Sequence, residues 1–289
     1  MKTLQRSVFA FIFVLFGPSL LAQVVPADLD SMLCYTLDSM RAVTGAKSYS
    51  AAIQFSDGAV WSHADGVSME SPAVNVTVND AYLIGSVTKT ITSACILQMA
   101  DEGKLSLDDS LHKWLDPMPY IDSNITIRQL LQHTSGIYDV LSHPHNSDSL
   151  MADMNRIWTP EELIDRFISP AIFSAGTSWS YSNTNYFLLD MIINKVSSNA
   201  FYTELRNRFY TPLGLTSFAI PAFEILFSPV AHLWLDLNGD GIEDDAHSFY
   251  MSYMSLNSTA GAAGGYFATP TDCTKWMRTY MRGDLLSPA

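Results

Sequence analysis

Two clusters in this chain carry side chains suited to nucleophilic catalysis. The first is Gly85-Ser86-Val87-Thr88-Lys89. Lys89 lies three positions after Ser86, so on a helix the two side chains share a face, one turn apart. Between Asp80 and Asp101, Lys89 is the only strongly ionisable side chain. A helix this apolar is buried on most sides. A lysine inside it needs a partner, or its pKa falls. Either state suits a proton acceptor or an electrostatic aid beside a serine hydroxyl. The Ser86 N–H lies at the positive helix end, where an oxyanion is stabilised. A capping serine followed by a snorkelling lysine accounts for the same spacing without chemistry.

The second cluster is Tyr181-Ser182-Asn183, preceded by Gly176-Thr177-Ser178-Trp179. It stands at the entry to a helix expected over Thr184 to Val196. A tyrosine shuttles a proton where a nearby cation lowers its pKa. An asparagine amide can bond both Lys89 and a substrate carbonyl. The bland account is a Ser/Asn helix cap beside a packed aromatic.

Periodicity outlines the elements that hold these clusters. Leu29, Leu33, Leu37, Met40 and Val43 recur at helical spacing, which predicts an amphipathic helix over Pro26 to Val43. Two short strand-like runs, Tyr49 to Phe55 and Ala59 to His63, flank Asp57-Gly58 and predict a β-hairpin. From Ser86 to about Tyr210 helical patterns dominate. Thr159-Pro160-Glu161-Glu162 is a helix start with an N-cap, a first-turn proline and a capping-box glutamate. Thr269-Pro270-Thr271-Asp272 starts a late helix in a similar way. The order predicts an antiparallel sheet layer flanked by helices, plus a helical domain, hence an α+β fold.

Composition removes several function classes. The chain has 289 residues, of which 48% are hydrophobic and only 16% charged. Average globular chains carry about 25% charged residues, so disorder is excluded. The net charge of −13 repels phosphate backbones and anionic membrane surfaces. The expected partner is a small-molecule or peptide substrate, with no nucleic acid and no cofactor.

The first segment looks like a leader. Lys2 and Arg6 precede the apolar run Val8 to Phe16, Gly17-Pro18 breaks any helix, and Ala22 offers a cleavage point. Residues 1–22 are therefore expected to be a secretory signal peptide, and the mature chain 23–289 secreted or periplasmic. An N-terminal membrane anchor is the alternative, although the run is too short to span a bilayer. Loss of the two cations Lys2 and Arg6 takes the net charge from −13 to −15. Cys34, Cys95 and Cys273 are odd in number and widely spaced, so no disulfide framework is expected. Cys34 and Cys95 look like small core residues.

Several segments together resemble the serine β-lactamase and penicillin-binding superfamily, in its class C β-lactamase-like branch. That branch also holds D-Ala-D-Ala carboxypeptidases, esterases and D-aminopeptidases. The segments are Ile84 to Lys89, Gly103-Lys104-Leu105-Ser106-Leu107-Asp108-Asp109, Leu130 to Gly136, Tyr181-Ser182-Asn183 with Tyr186, Pro212-Leu213-Gly214-Leu215, and Ala263-Gly264-Gly265. They follow the family's order and cover nearly all of the chain after residue 22. The resemblance implies a β-lactamase/transpeptidase-like fold. It implies Ser86 as the acylated nucleophile, Lys89 as its activator, Tyr181 as general base and then acid, and Asn183 as a guide for the substrate amide. His133 is implied to be a turn residue rather than a base.

The family's third motif, Lys-Thr-Gly or His-x-Gly on a late strand, has no counterpart before Ala289. Its C-terminal sheet strands are likewise expected to be missing from this chain. Two explanations stand: a piece of a longer protein, or a natural short form. Loss of inner strands would expose the hairpin edge, which favours the first. The expected organisation is 23–80 for the helix and hairpin, 81–255 for the mainly helical region, and 256–289 for a loop and late helix. A serine hydrolase is the leading function. A non-catalytic acyl-binding or vestigial module is the alternative, motivated by the missing motif.

Other candidate sites are weaker. Asp236, Asn238, Asp240 and Asp244 imitate the start of an EF-hand calcium loop, with Gly241 at the sixth position, but His247 stands where a bidentate glutamate belongs. An acidic Gly-rich turn explains the run equally. His143-Pro144-His145 lacks a third ligand at sensible spacing.

Overall fold

A computed structural model describes residues 25–236, 239–247, 251 and 254–286. The expected leader 1–22 lies outside the described residues. Helix α1 (Ala27–Thr44) ends at Gly45, whose left-handed φ of 72° lets its N–H close on the Arg41 carbonyl. Leu29, Leu33 and Leu37 are half-buried, whereas Met40 and Val43 are exposed. The helix therefore lies on the sheet by one edge. Polar links complete the seat: Trp61 Nε1 donates to Asp30 at 2.8 Å and Tyr49 Oη to Asp38 at 2.6 Å.

The hairpin forms around Asp57-Gly58. Strands β1 (Ser48–Gln54) and β2 (Val60–Glu70) pair antiparallel from Ser48 opposite Gly66 to Gln54 opposite Val60. Strand β3 (Ala73–Asn75) adds to β2, giving a three-stranded antiparallel sheet in the order β1-β2-β3. A second ribbon joins β4 (Tyr82–Leu83) to a later strand. A third joins β5 (Trp234–Leu235) to β6 (Asp244–Asp245).

Ser86 sits in a 3₁₀ turn, Gly85–Val87, that leads into α2 (Thr88–Asp101). The helix starts two residues after the serine because Gly85 adopts φ 52°, a bend between strand and helix that glycine makes without a Cβ penalty. Thr88, Lys89, Ile91, Thr92, Ala94, Cys95, Ile96 and Met99 are all buried, so α2 is a core helix. Short helix α3 (Ile127–Leu131) carries a capping box of Thr126 and Gln129. Helix α4 (Pro160–Phe167) shows the box expected of Thr159 and Glu162. Helix α5 (Thr184–Ser197) buries nine of its residues in the core beside α2.

Helix α6 (Phe201–Leu205), a π turn at Arg206–Tyr210 and the Thr211–Leu213 turn follow. A short helix, α7 (Gly261–Gly264), packs on α2 and α5. Strand β7 (Phe267–Ala268) pairs with β4, placing Tyr82 opposite Ala268 and Leu83 opposite Phe267. The last helix, α8 (Pro270–Arg282), lies against β1. One apolar cluster links α2, α4, α5, α6, α7 and α8 through Ile96, Phe167, Leu189, Leu205, Ala262 and Trp276. The architecture is α+β.

One expectation needs correction. Cys95 is fully buried, but Cys34 lies half-exposed on α1, with its thiol 3.9 Å from Asp30 rather than in the core. Its apolar sequence neighbours Leu33 and Tyr35 point along other faces of the helix. All three cysteines are free. In the acidic loop, the Asp236 carboxylate accepts backbone N–H groups from Gly239, Asp240 and Gly241 at 2.7–3.2 Å, and Asp240 accepts from Ile242. Asn238 lies outside the described residues. Among the described residues no group of three or more His, Cys, Asp or Glu side chains is placed to hold a metal ion.

Candidate active site

The strand-to-helix bend at Gly85 presents Ser86 to solvent, while the α2 register turns Lys89 inward. Lys89 is only 6% exposed, so it does not snorkel. Its Nζ donates to three acceptors: the Ala263 carbonyl at 2.5 Å, Asn183 Oδ1 at 2.8 Å and Ser86 Oγ at 3.3 Å. Three acceptors match the three hydrogens of an ammonium. Burial nonetheless pushes its pKa down to about 8, opposed by the charge of Asp139.

Tyr181 is 40% exposed, and its Oη lies 2.6 Å from Ser86 Oγ. Lys89 Nζ stands 4.8 Å from the centre of the Tyr181 ring and 5.2 Å from that of Tyr186. The cation thus lies near the faces of two aromatic rings. Tyr186, one turn into α5, is held through its hydroxyl at 3.0 Å from Ser93, whose own hydroxyl donates to the Lys89 carbonyl.

Asn183 occupies the N-cap position of α5, yet its side chain makes no cap bond. It points into the site instead. Nδ2 donates to Asp139 Oδ2 at 2.9 Å, and a carboxylate only accepts, so Oδ1 must face Lys89. Asp139 is itself fixed as the cap of the following 3₁₀ turn, accepting the Leu141 N–H. The structure therefore brings Ser86, Lys89, Tyr181 and Asn183 together and adds two partners, Asp139 and the Ala263 carbonyl.

Two further motif segments, Leu130–Gly136 and Ala263–Gly265, border these residues. Leu130 to Gly136 forms a turn in which His133 has φ 57° and Gly136 φ 73°. A Cβ at Gly136 would overlap the Phe173 carbonyl oxygen, so only glycine fits there. His133 is buried and its ring stacks on Tyr181, with centroids 4.5 Å apart. Burial pushes its imidazole pKa down, and the nearby Lys89 charge pushes the same way, with Asp139 opposing. Ala263-Gly264-Gly265 brings backbone against α2, where the Ala262 carbonyl accepts from Thr92 at 2.8 Å and the Ala263 carbonyl takes Lys89.

Comparison with known proteins gives a consistent neighbourhood. A model of the Beta-lactamase family matches residues 41–289. The chain is 27% identical over 244 residues to Penicillin-binding protein 4 of Amycolatopsis lactamdurans, covering 78% of this chain and 58% of that one. A D-stereospecific amidohydrolase from Streptomyces sp. matches in structure with a TM-score of 0.74 at 28% identity, over 88% of this chain and 74% of that one. D-amino acid amidase from Ochrobactrum anthropi SV3 shares the fold, with a TM-score of 0.76 at 24% identity, over 90% of this chain and 72% of that one. The matches cover between 28% and 58% of the length of the first curated relatives.

Proposed function

Because the chain belongs to the Beta-lactamase family, whose α+β fold it shares, we propose that it is a serine hydrolase forming an acyl-enzyme on Ser86. The observation that supports this reading is the contact of Ser86 Oγ with Tyr181 Oη at 2.6 Å above the buried Lys89. Donation from Lys89 engages one lone pair of Oγ, which turns the Ser86 hydrogen toward Tyr181. Tyr181, in its phenolate form, takes that proton as Oγ attacks the substrate carbonyl carbon. The carbonyl electron pair moves onto oxygen, where the Ser86 N–H stabilises it. Collapse breaks the bond to the amine or alcohol, which leaves with the proton held by Tyr181. Water then gives a proton to Tyr181 and attacks the ester carbonyl; collapse releases the acid, and Tyr181 returns that proton to Ser86 Oγ, restoring both groups. Lys89 serves as the cation that favours anionic oxygen at Ser86 and Tyr181. Asn183 keeps a second amide hydrogen for a substrate carbonyl. The reaction calls for no cofactor.

The substrate is an amide or ester. Amides of D-configured residues are the first class to test, since the Streptomyces relative is a D-stereospecific amidohydrolase; lactams come second, after the penicillin-binding relative. Export fits the leader-like residues 1–22. No described helix is long and apolar enough to cross a membrane. Turnover of D- and L-phenylalanine amide, a p-nitrophenyl ester and benzylpenicillin should be compared between wild type and Ser86→Ala. Hydrolysis of at least one that disappears in Ser86→Ala supports the reading. Hydrolysis that survives the substitution overturns it.

A further inference from the structure

His133 meets the Ser180–Ser182 segment at three points. Its carbonyl accepts the Ser180 N–H at 3.0 Å, and its Nδ1 accepts the Ser182 N–H at 3.2 Å. One residue thus takes the backbone N–H on either side of Tyr181. Between those two bonds its ring lies against the phenol ring, 4.5 Å between centroids and 26° from parallel. Trp179 packs edge-on at 6.2 Å and Tyr186 lies tilted at 5.4 Å, so the imidazole is packed among three aromatic rings.

The tautomer is fixed by a second layer. Asn185 Nδ2 also lies 3.2 Å from His133 Nδ1. The Asn185 amide cannot turn over without loss, because its Oδ1 accepts the buried Ser135 hydroxyl at 2.7 Å. Nδ1 therefore faces two donors and carries no hydrogen, and the ring proton sits on Nε2. Of the charged groups acting on the ring, Lys89 disfavours its cation and Asp139 favours it. The left-handed backbone at His133 is what aims carbonyl and ring at the same segment.

We propose that His133 is a positioning residue that clamps Tyr181 so that its Oη meets Ser86 Oγ, and that it does so as the neutral Nε2–H imidazole. The proposal rests on the role assigned to Tyr181 above. His133 touches neither substrate nor the reacting atoms. Its effect passes through the placement of one oxygen, where an error of about 1 Å costs on the order of 10²-fold in rate.

Two measurements test it. The first uses wild-type protein: the ¹⁵N–¹H long-range correlation of the His133 ring at pH 7 is expected to show the Nε2–H tautomer. An Nδ1–H tautomer overturns the clamp. The second is a double-mutant cycle on the rate of Ser86 acylation by a p-nitrophenyl ester. His133→Asn tolerates the left-handed backbone and keeps an acceptor near the Nδ1 position while deleting the ring. It is expected to lower the acylation rate ~10–100-fold. Combined with Tyr181→Phe it should add no further loss, because both act on the same oxygen. A double variant slowed by the product of the two single losses, or a wild-type rate in His133→Asn beside a slow Tyr181→Phe, overturns the clamp alone. A wild-type rate in Tyr181→Phe instead removes the role of Tyr181 itself, whatever His133 does.

Discussion

Asn183 donates one amide hydrogen to Asp139 across 2.9 Å, and that single bond decides which atom of the amide Lys89 sees. Its Oδ1 is left facing the lysine at 2.8 Å. The carboxylate thus reaches the buried cation through an amide rather than by direct contact. A direct ion pair would hold Lys89 in place by itself. The amide leaves the third hydrogen of the Lys89 ammonium for Ser86 Oγ.

The charge state of Lys89 is expected to set the alkaline limit of activity. Burial lowers its pKa from the ordinary 10.5 to about 8, against the opposing charge of Asp139. The ammonium is present below that value and lost above it. The kcat/KM of an uncharged ester should therefore fall with a midpoint near pH 8. A profile that stays level to pH 10 contradicts the assignment of Lys89 as the working cation.

Asp139→Asn tests the relay. It removes the charge that holds the Lys89 pKa up and frees the Asn183 amide to turn over. The alkaline limb should move to lower pH, and the acylation rate should drop about 10–100-fold, the worth of one hydrogen bond to a charged group. A limb that keeps its midpoint shows that Asp139 does not act on Lys89.

Asp190 offers a stability test away from the site. It is 3% exposed on α5, and its carboxyl is bonded by Asn194 Nδ2 at 2.8 Å. Burial raises its pKa well above the ordinary carboxylate value of 3.8. The folded state therefore keeps a proton that the unfolded chain releases, and stability declines as pH rises from about 4 through the folded pKa. Asp190→Asn removes that loss. It should raise the melting temperature at pH 7, by about 2–4 °C for each kcal/mol recovered, and the gap should close toward pH 4. An unchanged or lower melting temperature at pH 7 contradicts the protonated carboxyl.

The parts of this site differ in how far they could be read without coordinates. Ser86 and Lys89 were legible because three-residue spacing on an uncharged helix is a local property. Tyr181 and Asn183 became distinguishable from a capping pair only through the order of the other motifs. Asn183 and Lys89 stand 94 positions apart, a separation that carries no spacing signal. Asp139 was missed for the same reason, since nothing local marks it as facing Asn183. His133 was recognised as a turn residue, which its φ of 57° supports, but its ring meets a tyrosine far along the chain. Helix ends were close: α5 runs one residue past Val196. Cys34 went wrong because apolar sequence neighbours on a helix lie about 100° away on either side.

The account turns on covalent chemistry at Ser86, and that is most directly measured by mass spectrometry. The protein should be quenched with acid while it reacts with benzylpenicillin or a p-nitrophenyl ester, then digested and mapped. The predicted result is one acyl group on the peptide that contains Ser86, absent from Ser86→Ala and slower to appear in Tyr181→Phe. An adduct on any other residue, or one that forms at the wild-type rate in Ser86→Ala, would contradict it.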